Sequence, residues 1–114
     1  MRTDKNGHSW VRQDGTARAV CPFCGVESKV TASGPKGGSR YVFRKIGVAG
    51  GWAAKMPKCD RALYVGATVR YRPLRAATIV RVVQSWPPRF DFRDALGRQK
   101  IIPVMAYWRA RRAS

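Results

Sequence analysis

Cys21-Pro22-Phe23-Cys24-Gly25 is the stretch that decides how the first half of this chain can fold. Two cysteines at i and i+3 can present both thiolates to one ion. A glycine after the second permits the left-handed turn whose amides point back at the sulfurs. A four-coordinate site needs two more ligands, and the chain supplies Cys59, within Lys55-Met56-Pro57-Lys58-Cys59-Asp60, and His8, within Gly7-His8-Ser9-Trp10. One structural Zn2+ held by His8, Cys21, Cys24 and Cys59 uses every cysteine and histidine present. Asp14 and Asp60 are the alternatives to His8 as fourth ligand, and an inert buried thiol is the alternative for Cys59. A three-ligand catalytic ion is disfavoured, because the chain has almost no carboxylates to act as general base.

Working outward, residues 1–60 contain no Leu and one Ile, and glycine is dense at Gly34-Pro35-Lys36-Gly37-Gly38 and at Gly47-Val48-Ala49-Gly50-Gly51. Such a segment cannot bury enough apolar surface to offset its ordering entropy, so it needs a staple. After the knuckle, Val26 to Ala32 and Arg40 to Ile46 are expected to pair as a β-ribbon across the Gly34 to Gly38 loop. That ribbon carries Lys29, Lys36, Arg40, Arg44 and Lys45, a surface suited to tracking phosphates. Gly47 to Gly51 lacks the Gly-Lys-Ser/Thr ending of a phosphate loop and reads as a turning connection.

Residues 61–114 read as short strands separated by turns. Leu63 to Tyr71 alternates, with Leu63, Val65, Val69 and Tyr71 on one face. Ala77 to Val83 is β-branched and is stopped by Ser85-Trp86-Pro87-Pro88. Arg89-Phe90-Asp91-Phe92-Arg93 has period two, Asp94-Ala95-Leu96-Gly97 supplies a hairpin turn, and Arg98 to Val104 returns. Met105 to Arg109 closes the pattern as a last short strand or one helical turn. Closure into a barrel is how so short a sheet removes its edges. The expected fold is therefore mainly β: a zinc-ribbon-like hairpin unit over residues 1–60, then a small SH3-like barrel with a basic tail over residues 61–114.

Four resemblances attach to these residues. Cys21-Pro22-Phe23-Cys24-Gly25 resembles the knuckle of zinc ribbons and rubredoxin-like sites. With His8-Ser9-Trp10 and the distant Cys59, it also looks like small zinc-binding proteins of bacteriophage and prophage genomes, which implies an accessory protein acting on transcription or replication machinery. The succession Val65 to Tyr71, Ala77 to Val83 and Phe90 to Gly97 resembles the Tudor and KOW class of SH3-like barrels, which implies a binding module. Cys-Pro-aromatic-Cys is similar to the glutaredoxin active-site motif as well. There, however, a helix follows the motif and lowers the first thiol's pKa, whereas here Val26 to Gly34 is β-prone and then broken.

Charge names the partner class. The chain has 23 Lys+Arg against 6 Asp+Glu, a formal net charge of +17. So large an excess has to be offset by acidic partners, most often nucleic-acid phosphates. Residues 61–114 are the more electropositive half, and their arginines fall beside aromatics. Arg70, Arg72 and Arg75 surround or follow Tyr71, Arg89 follows Trp86, Arg93 follows Phe92, Arg98 follows the hairpin, and Arg109, Arg111 and Arg112 follow Trp108. Guanidiniums contacting phosphates beside stacking aromatics are the surface chemistry of single-strand and structured RNA binding. Trp86 and Trp108 are the aromatics expected to be exposed, while Tyr71, Phe90 and Phe92 are expected inside. No recognition helix or repeated finger is visible, so backbone contacts to DNA or RNA are expected.

No run of eighteen apolar residues exists and the opening Met1 to Gly7 is polar, so an intracellular, soluble chain is expected, in cytoplasm or nucleoid, without membrane or small-molecule substrate. The leading functional expectation is a non-catalytic zinc protein that binds nucleic acid within a larger complex, as an accessory factor of transcription. The alternatives are an SH3-like module gripping a protein such as a polymerase subunit, a ribosomal or ribonucleoprotein subunit, and a thiol-disulfide oxidoreductase.

Overall fold

The computed structural model describes residues 3–31, 40–71 and 75–113. Among these described residues the fold consists of two four-stranded antiparallel sheets and one helix. The first sheet has strands β1 (Val11–Arg12), β2 (Ala19–Cys21), β3 (Val26–Thr31) and β4 (Arg40–Lys45), paired in sequence order. The knuckle is the β2–β3 turn, with Cys21 paired to Val26. The expected ribbon forms in register from Val26 opposite Lys45 to Thr31 opposite Arg40. Its Gly34 to Gly38 loop, with Lys36, lies outside the described residues.

The second sheet is a meander of β5 (Thr68–Tyr71), β6 (Arg75–Val83), β7 (Arg89–Asp94) and β8 (Gln99–Pro103). Period two works here as expected: Phe90 and Phe92 are fully buried, while Arg89 and Arg93 are exposed. A register shift between Ile79 and Arg81 lets β6 keep Ile79 and Val82 on the same inner face as their partners Phe92 and Phe90. The β7–β8 turn is held by Asp94, whose Oδ1 accepts from the Leu96 and Arg98 amides at 2.9 Å each. The strand order is open, with β5 and β8 as its two edges among the described residues.

The end of the chain departs from expectation. Met105 to Arg109, expected as a last short strand or one helical turn, lies in the first half of a longer helix, α1 (Val104–Ala113). Val104, Tyr107 and Trp108 sit at i, i+3 and i+4 and so face the interior together. All three are essentially buried. Trp108 therefore corrects the sequence reading: at 2% exposure it is a core residue and offers no stacking face. Tyr107 meets Phe90 edge-on at 5.4 Å and Trp108 at 5.5 Å. Burying side chains of this size contributes roughly 1.5–3 kcal/mol each.

The same helix carries the contact between the two sheets. Val20 of β2 and Ile46 share a core cluster with Leu63, Ile79, Phe90, Phe92 and Trp108. Trp108 Nε1 donates to the Pro22 carbonyl at 2.9 Å. The helix backbone also approaches Gly47 closely enough that a Cβ there would lie 2.9 Å from Arg109 Cα. Among the described residues no helix is long and apolar enough to cross a membrane.

Candidate metal centre and basic surfaces

His8, Cys21, Cys24 and Cys59 arrive from three places: the N-terminal loop, the β2–β3 knuckle and the segment before β5. Their ligand atoms all lie within 4.8 Å of one another, so the four could hold a metal ion. Cys21 Sγ and Cys59 Sγ are 3.9 Å apart, and Cys24 Sγ is 3.3 Å from His8 Nδ1. A tetrahedral ion with sulfur bonds of about 2.3 Å and nitrogen bonds of about 2.1 Å separates its ligands by roughly 3.5–3.8 Å. Closing this cluster on such an ion needs a contraction of about 1 Å at its longest edge. Neither Asp14 nor Asp60 belongs to the cluster.

The surroundings are built for thiolates and a neutral imidazole. His8 Nε2 lies 2.5 Å from the Pro57 carbonyl, which fixes the proton on Nε2 and leaves the Nδ1 lone pair toward the sulfurs. Cys21 Sγ accepts from the Ser9 and Phe23 amides, Cys24 Sγ from that of Val26 and Cys59 Sγ from that of Arg61. Each cysteine thus has the amide two residues onward turned to its sulfur, which favours the anionic form. The Cys24 thiol donating to Cys21 holds Cys21 down at about 5, against the opposing effect of burial. Cys24, as the donor, buried and beside that anion, is pushed far up. Burial, with the nearby Cys21 charge, raises Cys59 as well. Unloaded, these three sulfurs compete for protons; a cation among them relieves that competition.

Backbone geometry gives each arm a reason. Gly25, at φ +71, makes the knuckle turn, and an added Cβ there would meet Trp108 Cδ2 at 2.4 Å. Arg61, two residues past Cys59, is the one described non-glycine residue with positive φ, at 46°. A left-handed conformation costs a non-glycine residue about 1–2 kcal/mol, and here it turns the chain from Cys59 so that the Leu63 amide reaches the Phe23 carbonyl at 3.0 Å. The His8 arm is held by Asp4: Oδ1 accepts from the Asn6 and His8 amides, and Oδ2 from Trp10 Nε1 at 2.8 Å. Burial would raise the Asp4 carboxyl, but these donors outweigh it and hold it below its usual value.

The C-terminal helix completes the centre. Arg112 donates to the carbonyls of Cys24, Gly25 and Ile46, with its guanidinium 4.4 Å from the Trp108 ring. Singled out in the sequence as a phosphate contact, Arg112 instead clamps the back of the knuckle. Sequence reasoning missed this clamp, together with Asp4 and the Pro57 carbonyl. The Arg112 signal was present in the spacing of Trp108 and Arg112, four apart on one helical face. The other two are backbone or loop contacts that no residue pattern announces.

The remaining basic positions separate into engaged and unengaged groups. Lys29 Nζ and Arg44 Cζ each lie 4.4 Å from the ring of Trp52, and Arg44 also pairs with the buried Glu27 at 2.5 Å. Arg98 pairs with Asp94 at 2.9 Å. Arg111 stacks on Trp108 and bonds the Tyr107 hydroxyl. Trp86 is half-buried under Arg18, whose Cζ lies 5.5 Å from the ring, so its face is already covered by a cation. Arg40, Lys45, Arg70, Arg89, Arg93 and Arg109 are exposed and in no ion pair among the described residues. Lys36 and Arg72 lie outside the described residues, as does the side chain of Arg75. Arg81, which the sequence reading did not single out, pairs with Asp91 at 3.0 Å.

Comparison with known proteins returned no match to any family model, curated protein or solved structure.

Proposed function

We propose that this chain is a non-catalytic zinc protein that binds nucleic acid within a larger complex, as an accessory factor of the transcription machinery. Zinc is the ion this reading assigns to His8, Cys21, Cys24 and Cys59, because three sulfurs and one imidazole nitrogen are its usual closed, structural set. Bound there it supplies cross-linking. The reading also takes the β5–β8 meander with helix α1 as an SH3-like module of the Tudor and KOW type. The Cys-x-x-Cys pair lies in a β-turn and not at a helix start, which favours an ion over thiol-disulfide exchange.

The observation that carries the nucleic-acid part is the imbalance of charge: acidic groups that meet arginines are matched, while a large exposed basic excess is not. Glu27, Asp91 and Asp94 are each in ion pairs, and the net charge is still +17. Such a surface attracts phosphate by releasing condensed counterions. A second reading, a module that grips a protein, is favoured by the neighbouring exposed side chains of Tyr64 and Val65.

Binding measured as a function of salt separates the two. Nucleic-acid binding is expected to weaken steeply as salt rises, and purification from cells with and without nuclease is expected to change what accompanies the chain. A flat salt dependence, with a protein partner that survives nuclease, would decide for the second reading. Elemental analysis of the purified chain, expected at one zinc per molecule, tests the metal assignment separately.

A further inference from the structure

Directly paired residues of an antiparallel sheet share a face, so register locates the charge of the second sheet. Phe90 and Phe92 point inward with Ile102, Val82 and Ile79. Arg89, Asp91 and Arg93 must then point outward, with Arg81 opposite Asp91 and Thr78 opposite Arg93. On β5, Val69 packs against the core opposite the buried Ala77, which turns its neighbour Arg70 to the outer face as well. Among the described residues that face carries four arginines against one aspartate, and Arg81 already meets the aspartate. Arg70, Arg89 and Arg93 are left exposed and in no ion pair among the described residues.

What else the face offers limits its ligand. The aromatics that neighbour these arginines in sequence, Phe90 and Phe92, are inside, so the described part of the face has no stacking platform for splayed bases. Thr68 and Thr78 hydroxyls lie 3.3 Å apart and bond one another. Little remains there to read a base edge or a ribose hydroxyl. Arg89 and Arg93, four residues apart on one strand, are about 13 Å apart along it. That is close to the roughly 12 Å width of the B-DNA major groove, so the two can take phosphates on its two rims. The major groove of an RNA duplex is too narrow for the same span.

From this placement we infer that the outer face of the β5–β8 sheet, through Arg70, Arg89 and Arg93, docks on the phosphate backbone of duplex DNA without reading its sequence. The inference rests on the functional reading above and narrows it, because the β3–β4 ribbon has already committed Lys29 and Arg44 to Trp52 and Glu27.

The test compares two full-length variants of equal charge loss, R89Q/R93Q on the outer face and R40Q/K45Q on the ribbon. Each is titrated into a short labelled DNA duplex, the matching single strand and the matching RNA duplex over a range of KCl. The wild type is expected to prefer the DNA duplex. R89Q/R93Q should bind it roughly tenfold or more weakly at low salt, with the log-log salt slope reduced by about 2, since each lost phosphate contact removes about 0.9. R40Q/K45Q should keep the wild-type slope. All positions are exposed, and equal melting midpoints for the three proteins would show that folding is not the variable. Equal losses in the two variants, or no loss in R89Q/R93Q, would overturn the face assignment; single strand or RNA bound as tightly as the DNA duplex would overturn the choice of ligand. A wild type that binds none of the three in a salt-dependent manner would defeat the functional reading, and this inference with it.

Discussion

The two sheets have the same strand count and the same sequential antiparallel order, yet they are held by different means. The second is packed in the ordinary way, with Leu63, Ile79, Phe90, Phe92, Ile102 and Tyr107 filling one side. The first places Cys21, Phe23, Cys24, Val26 and Phe43 together, and two of those five are sulfur ligands of the candidate centre. With an ion bound at that centre, coordination would replace part of the apolar area that a leucine-free segment lacks. The two modes of support meet at helix α1, which inserts Tyr107 into one core and lays Trp108 and Arg112 against the knuckle of the other.

The largest expected effect breaks that comparison on the metal side. Stripping the ion with a strong chelator, or replacing Cys24 with Ser, should remove metal from the chain and abolish amide protection in β1–β4, while β6 and β7 keep most of theirs. Apparent binding energies of structural zinc are on the order of 10–16 kcal/mol, more than a segment of this composition can replace. Hydrogen exchange read strand by strand checks it. Uniform loss across both sheets would show that the cores form a single cooperative unit; unchanged protection in β1–β4 would show that the first sheet does not depend on coordination.

A smaller effect belongs to the seam. Gly25→Ala keeps every ligand but places a methyl on the Trp108 ring at a backbone φ of +71. The combination of left-handed strain and overpacking should cost about 3 kcal/mol, seen as a lower unfolding midpoint and a shifted Trp108 emission. If the midpoint does not move, the close seat of the helix on the knuckle is wrong.

How legible all this was differs between the regions. In the first sheet, the Cys21–Cys24 pair and the ribbon could be read because both follow local rules, Cys-x-x-Cys-Gly spacing and two β-prone runs flanking a glycine-rich loop, whereas His8 and Cys59 could be added only as the remaining histidine and cysteine. In the second, Phe90-x-Phe92 and the Asp94 to Gly97 turn fixed β7 and β8 for the same reason. Helix α1 was legible only as a last strand or one helical turn, because Val104, Tyr107 and Trp108 favour strands by residue type, while their i, i+3, i+4 spacing spans too few residues to outweigh that preference. The exposure assigned to Trp108 followed from its basic neighbours, whereas Arg111 and Arg112 lie against its ring. Barrel closure is a long-range pairing that no local pattern encodes, and the described pairing is an open meander.

The clamp itself sharpens the comparison at a lower magnitude. Arg112→Met keeps the aliphatic stem over Trp108 but removes the guanidinium donor from the Cys24, Gly25 and Ile46 carbonyls, of which that of Gly25 keeps the Ile46 amide. A loss of about 2 kcal/mol is expected for carbonyls that water only partly reaches. Because Cys24 is itself a candidate ligand, metal release to a chelator should also become about tenfold faster, as is usual for groups that orient ligands from behind. A variant with ordinary release kinetics would confine Arg112 to packing.

Acid should act on the two sheets by different routes, and its effect on the second is the smallest expected. In the first, protons compete with the ion for sulfur and imidazole, so metal and structure leave together. In the second the sensitive group is Asp94, held below its usual value chiefly by the Arg98 amide, against slight desolvation, with the Arg98 side chain and the Leu96 amide adding to it. A carboxyl with a lowered folded pKa contributes stability above its unfolded value, near 4, and loses it as pH falls through the folded one. Asp94→Asn keeps an acceptor for the turn amides but removes the charge facing Arg98. It should therefore lower the second sheet's unfolding midpoint slightly at neutral pH, and the difference from wild type should vanish in strong acid. A difference that persists unchanged into acid would mean that turn geometry, not charge, is what Asp94 contributes.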